Sequence, residues 1–156
     1  MDVSLREIDR DNVGRVIRLR VRADQQGFVA PTEGSLAEAY VYVEAWVRAI
    51  YLGEQPVGFV MLYDETQRDE APESPEVCVW RLLVDARWQG RGIGAAAMRL
   101  VIEHVRSRGA VDALLLSYVP GPGSPEPFYR GLGFEPTGAV EEGEVVLSLS
   151  LSEGRD

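Results

Sequence analysis

Apolar and polar positions change their period several times along the chain, and each change marks an element. Residues 3–8, VSLREI, alternate as an edge strand does. Val13, Val16, Ile17, Leu19 and Val21 then fall on one mostly apolar helical face that reaches about Ala23, with Asp11 or Asn12 placed to cap it. The stretch QQGFVAPTEG (25–34) breaks that pattern with two glycines and a proline. Ser35 is placed to cap a second short helix, SLAEAY, and Glu38 stands three positions on, at capping-box spacing. From Glu44 the period becomes two: Trp46, Arg48 and Ile50 point one way, Val47, Ala49 and Tyr51 the other. LGEQP (52–56) reads as a hairpin turn and VGFVMLY (57–63) as the returning strand.

Residues 64–76, DETQRDEAPESPE, hold six acids against one Arg and read as an exposed loop inside the domain. VCVWRLLV (77–84) is nearly continuous in apolar residues, as expected of a central strand covered on both faces. A glycine-rich turn leads into an amphipathic helix that stops near Arg108. DALLLSYV (112–119) is a second buried strand, PGPGSPEP (120–127) a loop, and PFYRGL a short helix closed by Gly133. GFEPTGAV and EVVLSLSL (144–151) supply the last strands. The order β α α β β β α β α β β predicts a single α/β domain over residues 1–156. Its central sheet is mixed, mostly antiparallel, with six to seven strands flanked by helices. There is no internal repeat and no low-complexity tract.

Composition narrows the function classes. The 156 residues, 46% apolar and 8% aromatic, suit one globular domain. No apolar run approaches the roughly 18 residues of a membrane span. The opening MDVSLREIDR has no basic segment followed by an apolar one, and Cys78 is the only cysteine. A cytoplasmic protein without a membrane partner is the expectation. A net charge of −9 disfavours nucleic acid and attracts small cations. All 16 basic residues are Arg, which compositional bias accounts for. With one His and one Cys, neither a Ser-His-Asp triad nor a zinc site has material, and no metal is expected. His104, mid-helix beside Val101 and Val105, reads as a packed or solvated imidazole.

The candidate chemistry lies in LLVDARWQGRGIGAAAMRLVIEHV (82–105), a strand, a glycine turn and a helix joined directly. Such a turn gathers unpaired N–H groups at a helix N-terminus, where they and the dipole bind phosphate. A nucleotide P-loop needs Gly-Lys-Ser/Thr, and the chain has no Lys. A dinucleotide fingerprint would place Ala95 at its third glycine and Asp112 on the ribose, but it belongs to all-parallel units, and here hairpins precede it. Gln89-Gly90-Arg91-Gly92-Ile93-Gly94 resembles the Q/R-x-x-G-x-G/A signature of the GNAT superfamily, the acetyl-CoA-dependent N-acetyltransferases. FYRGLGF (128–134) is similar to that family's second hallmark, and the order of elements agrees over most of residues 3–151. QGFVAPTEGSLAEAY and WRLLVDARWQGRGIG look like the branch that acetylates polyamines and diamines, spermine and spermidine among them.

The resemblance implies acetyl-CoA as co-substrate, with its pyrophosphate on Gln89, Gly90, Arg91, Gly92, Ile93, Gly94 and Ala95. It implies a pantetheine arm along Leu82, Leu83 and Val84, whose side chains also read as core. Tyr129 is implied as the acid that protonates the leaving thiolate, although it also reads as a core aromatic with Phe128 and Phe134. Many family members carry Asn where this chain has Pro122, and Ser124 is placed to supply some of that hydrogen bonding. An alkylammonium with a pKa near 10.4 must lose a proton before it attacks. Glu76, Glu33 and Glu38 are the candidate bases, directly or through water, each with an alternative as a surface acid or cap. Trp80 and Tyr40 are placed to line an amine site by cation–π contact or to serve the core. The expected partner is a small amine: a polyamine or diamine, or else an aminoglycoside, an amino acid or a protein N-terminus. A non-catalytic acetyl-CoA sensor is the alternative class, and the chain leaves a homodimer open.

Overall fold

The computed structural model describes residues 1–152; residues 153–156, the end of the expected domain, lie outside the described residues. Seven strands form one sheet: β1 (Val3–Arg6), β2 (Ala45–Leu52), β3 (Gln55–Asp64), β4 (Val77–Val84), β5 (Ala113–Tyr118), β6 (Glu135–Glu141) and β7 (Glu144–Ser150). Their order across the sheet is β1-β2-β3-β4-β5-β7-β6, antiparallel throughout except for the pair β4 and β5. The helices are α1 (Val13–Val16), α2 (Thr32–Val41), α3 (Ile93–Arg108) and α4 (Glu126–Gly131).

The two faces of the sheet bury different sets of residues. Trp46 and Ile50 of β2, with Val57, Val60 and Leu62 of β3, join the core beneath α3. Ala49 and Tyr51, with Phe59 and Met61, join a smaller core with Val16 and Leu19 beyond α1. That division follows the period-two reading of β2. Helix α3 supplies Ile93, Ala97, Met98, Val101, Ile102 and Val105, a stripe at helical spacing. It ends at Gly109, with φ +65° and Arg106 and Arg108 in the last turn, where their charge complements the dipole.

Three expectations need correction. The first helix stops at Val16. The buried carboxylate of Asp85 accepts from the Arg20 N–H at 3.1 Å, and Ala86 N–H donates to the Arg20 carbonyl at 2.8 Å, so tertiary bonds replace helical ones. Helix α2 starts at Thr32 behind Pro31, not at Ser35; the Ser35 hydroxyl is buried inside it and donates to Pro31 O. Asp64, expected on an exposed loop, is 2% exposed, caps the turn at Thr66 and pairs with Arg108 at 2.8 Å.

Candidate active site

Strands β4 and β5 pair only at Cys78 with Leu115 and at Val79 with Leu116, and then diverge. The reason is visible in β4. Arg81 is registered with Met61 and Val79 with Leu62, which leaves Trp80 as an extra residue in a bulge. The bulge puts Val79 and Leu82, three apart, against the same core, and Trp80 and Leu83 against the other. Beyond it a cleft of about 1270 Å³ opens between the strands.

The cleft has a donor-rich end. Asp85 N–H bonds back to Val57 O on β3, so by alternation residues 82 and 84 turn their backbone groups toward the cleft. Val84 O indeed accepts from Gln89 Nε2 at 2.9 Å. Gly90 and Gly92 have φ of +77° and +80°, the left-handed region that suits glycine. Gly92 is the N-cap of α3, and the first helical bond runs from Ala96 N to Gly92 O. The N–H groups of Ile93, Gly94 and Ala95 are therefore left without helical acceptors. Gly94 answers a different need: a Cβ there would stand 3.4 Å from the Phe128 ring and 3.6 Å from Val84.

At the cleft wall, Tyr129 of α4 is 8% exposed and packs edge-on against Phe128 and Phe134, with centroids 5.2 and 5.9 Å away. Burial alone pushes its phenol up to about 12. It thus keeps its proton at neutral pH, as a donor must, while burial makes it a weaker acid than an exposed phenol. Packing and donation are compatible, since the ring is core and the residue also lines the cleft.

The other end of the cleft is acidic and aromatic. Glu76, Glu141 and Glu144 line it together with Tyr63, Trp80 and Cys78. Glu141 and Glu144 face each other across the β6–β7 hairpin, and Glu144 Oε1 accepts from Ser117 Oγ at 2.9 Å. Among the described residues, no Arg lies within ion-pair distance of these three carboxylates. Burial, then the charges of Glu76, Glu65 and Glu141, push the Cys78 thiol up to about 12, so it is an unreactive thiol at neutral pH.

The residues expected from sequence divide accordingly. Leu82, Val84, Gln89, Gly90, Gly92, Ile93, Gly94, Ala95, Ser124, Tyr129, Glu76 and Trp80 line the one cleft. Leu83 and Arg91 lie outside the lining: Leu83 packs in the opposite core, and the Arg91 guanidinium covers the Trp88 ring at 4.9 Å. Glu33 pairs with Arg20 at 2.9 Å and Glu38 with Arg81 at 3.1 Å; neither carboxylate is part of the lining, although Arg81 is. Tyr40 is 93% exposed. Glu141, Glu144 and, at the end of β5, Tyr118 also line the cleft, yet no local motif marks them; for the two glutamates the alternation of β7 and the EEGE turn are the only signals.

The comparisons with known proteins agree with this architecture. Residues 22–134 match the model of the acetyltransferase (GNAT) family. Spermine/spermidine N(1)-acetyltransferase of Bacillus subtilis (strain 168) is 24% identical over 97% of this chain and 100% of its own length. A structure of the aminoglycoside acetyltransferase AAC(6')-Ib with paromomycin and acetyl-CoA superposes with a TM-score of 0.78, at 19% identity, over 100% of this chain and 99% of that one. A structure of AtaTR bound with acetyl-CoA gives 0.70 at 19% identity, over 96% and 94%. The family model spans well over half of the chain, including the bulged strand, the glycine turn and the Tyr129 helix. The chain belongs to the GNAT acetyltransferase family and is an acetyl-CoA-dependent N-acetyltransferase.

Proposed function

We propose that the acceptor is a small polyamine or diamine, acetylated on a primary amine by direct attack within a ternary complex. One observation carries this reading: the donor-rich turn and the carboxylates Glu76, Glu141 and Glu144 line opposite parts of one cleft, with Tyr129 on its wall. An anion and a cation are thus invited to the same cavity from different ends. The similarity to the Bacillus subtilis spermine/spermidine acetyltransferase supports the same acceptor class.

Acetyl-CoA supplies the thioester. The backbone N–H groups of Gly90 to Ala95 hold the pyrophosphate at the N-terminus of α3. Leu82 and Val84 offer main-chain groups to the amides of the pantetheine arm, as a strand does to an extended peptide. Ser124 lines the same wall. Trp80 and Tyr63 line the same cleft, and the face of such a ring attracts an alkylammonium. Glu76, alone of the three candidate bases in lining the cleft, removes the ammonium proton directly or through a water. Tyr129 gives its proton to the departing thiolate sulfur.

The test is release of coenzyme thiol with a panel of amines: spermidine, a diamine, an aminoglycoside and an amino acid. Spermidine or the diamine is expected to give the highest kcat/KM. Highest turnover with the aminoglycoside or amino acid would overturn the acceptor class. Tyr129→Phe keeps the ring packing and should lower kcat about 10²-fold with coenzyme affinity unchanged. Full turnover in that variant would remove Tyr129 from the chemistry.

A further inference from the structure

Helix α4 is short, and Tyr129 is its one residue that is both buried and part of the cleft wall. The segment that delivers it, residues 119–125, has three prolines and two glycines, with φ of +131° at Gly121 and +80° at Gly123. Within it, Ser124 N–H donates to Gly121 O at 3.1 Å, and Ser124 Oγ accepts from Glu126 N–H only at 3.5 Å. The prolines fix their own φ, but hydrogen bonds this few within the segment do little to set the rotation of α4. One direct bond crosses it. The Tyr118 hydroxyl, at the end of β5, donates to Glu126 Oε2 at 2.8 Å.

Both ends of this bond are anchored. Tyr118 is 7% exposed, lies in the main core and is registered with Val145 of β7, so its ring cannot drift from the sheet. Glu126 opens α4, where a negative charge also suits the dipole. Glu126 and Tyr129 are three apart, so they share a helix face, and fixing one fixes the rotation of the other.

We propose that Tyr118 and Glu126 form a positioning pair that holds α4 in the rotation placing the Tyr129 hydroxyl in the cleft. Neither is a catalytic residue; both act through Tyr129, and the inference rests on the role given to Tyr129 above. A hydrogen bond to a charged acceptor is stronger than a neutral one, and the carboxylate accordingly raises the Tyr118 phenol above its ordinary value. The hydroxyl therefore stays a donor across the working pH range.

Tyr118→Phe keeps the ring and deletes only the donor. The expected result is a fall of about tenfold in kcat, with the KM for acetyl-CoA and the calorimetric coenzyme affinity within twofold of wild type. Glu126→Ala should match it. Glu126→Gln, which still offers a carbonyl oxygen to the Tyr118 hydroxyl, should restore most of the lost turnover. In a Tyr129→Phe background, Tyr118→Phe should lower kcat no further. A kcat within twofold of wild type for Tyr118→Phe, a matching loss of coenzyme affinity, or an additive loss in the Tyr129→Phe background would each overturn the pair. These failures are distinct from failure of the underlying reading, in which Tyr129→Phe alone keeps full turnover.

Discussion

The side-chain amide of Gln89 donates to the main-chain carbonyl of Val84 at 2.9 Å. Its second hydrogen goes to Gln25 Oε1 at 2.8 Å. One side chain thus ties the first residue of the glycine turn to the cleft-facing edge of β4 and to Gln25, which also lines the cleft. Each such bond contributes about 1 kcal/mol net, and Gln89→Leu breaks both while leaving the Val84 carbonyl unpaired. Acetyl-CoA affinity, read by calorimetry, should fall by roughly 5- to 30-fold. Gln89→Glu should do the same, because a carboxylate cannot donate. Affinity within twofold of wild type in both variants would show that the amide does not organise the turn.

The glycines of that turn should not be equivalent to mutation. Gly92 needs φ of +80° and caps α3, while a Cβ there meets only the mobile end of Met1 at 3.4 Å. Gly92→Ala should therefore lose about 1 kcal/mol of stability through backbone strain alone. Gly92→Val, β-branched in the left-handed region, should also weaken coenzyme binding by an order of magnitude or more. Gly94→Ala has ordinary φ and should act through Phe128, against whose ring the new methyl would sit at 3.4 Å, the near edge of ordinary contact. Its effect is expected on kcat more than on coenzyme affinity, since Phe128 adjoins Tyr129. Equal coenzyme-affinity losses at Gly92 and Gly94 would contradict this division.

His104 stacks on Trp46 with centroids 4.4 Å apart, and Arg48 covers Trp46 at 4.4 Å from its centroid. Burial first, then Arg108 and Arg48, hold the imidazole below its ordinary value of 6.5, against a smaller opposing pull from Asp64. A depressed pKa means that the unfolded chain binds the proton more readily than the folded one. The stability linked to His104 is fully present above about pH 6.5 and is lost as pH falls through the lower folded value. Melting temperature should decline from pH 7 to pH 5.5 in the wild type, and His104→Phe, which preserves the stack, should flatten that slope. An unchanged slope would assign the acid sensitivity to other groups.

Much of the fold was legible because it is written in local period. The switch to alternation at Glu44 and the LGEQP turn (52–56) gave β2 and β3, and the glycine run marked α3, although the helix begins at Ile93 and takes in Gly94. The first helix misled for a definite reason: its apolar face continues to Val21, but the backbone of Arg20 is captured by Asp85 and Ala86, a tertiary choice with no trace in the local pattern. The same applies to the site. The donor-rich end is contiguous in sequence and could be read from Gln89 to Ala95. The acidic end is assembled from β4, β6 and β7, whose residues meet only once the sheet order is known. Glu33 and Glu38 looked available in sequence because nothing there reveals Arg20 and Arg81 as their partners.

Glu141 and Glu144 stand directly opposite each other on one face of the β6–β7 pair. Like charges in that relation destabilise a hairpin by roughly 0.2–1 kcal/mol. Here no described cation offsets the cost. If the pair holds the remote ammonium of a polyamine, removing one charge should move stability and activity in opposite directions. Glu141→Gln should raise the melting temperature by about one to three degrees, since about 1 kcal/mol corresponds to about 2–4 °C in a domain of this size. It should also raise the KM for spermidine roughly fivefold, a loss near 1 kcal/mol, while a monoamine of similar length changes less than twofold. The spermidine penalty should shrink as ionic strength rises from 0.01 to 0.15 M, where the Debye length falls from about 30 to about 8 Å. Neutralising the exposed Asp69, Glu70 and Glu73 of the loop should alter only that salt dependence, because they lie outside the cleft lining. Equal weakening of both amines, or a lower melting temperature in Glu141→Gln, would place the two glutamates in the hairpin's own stability and move the acceptor's second charge elsewhere in the cleft.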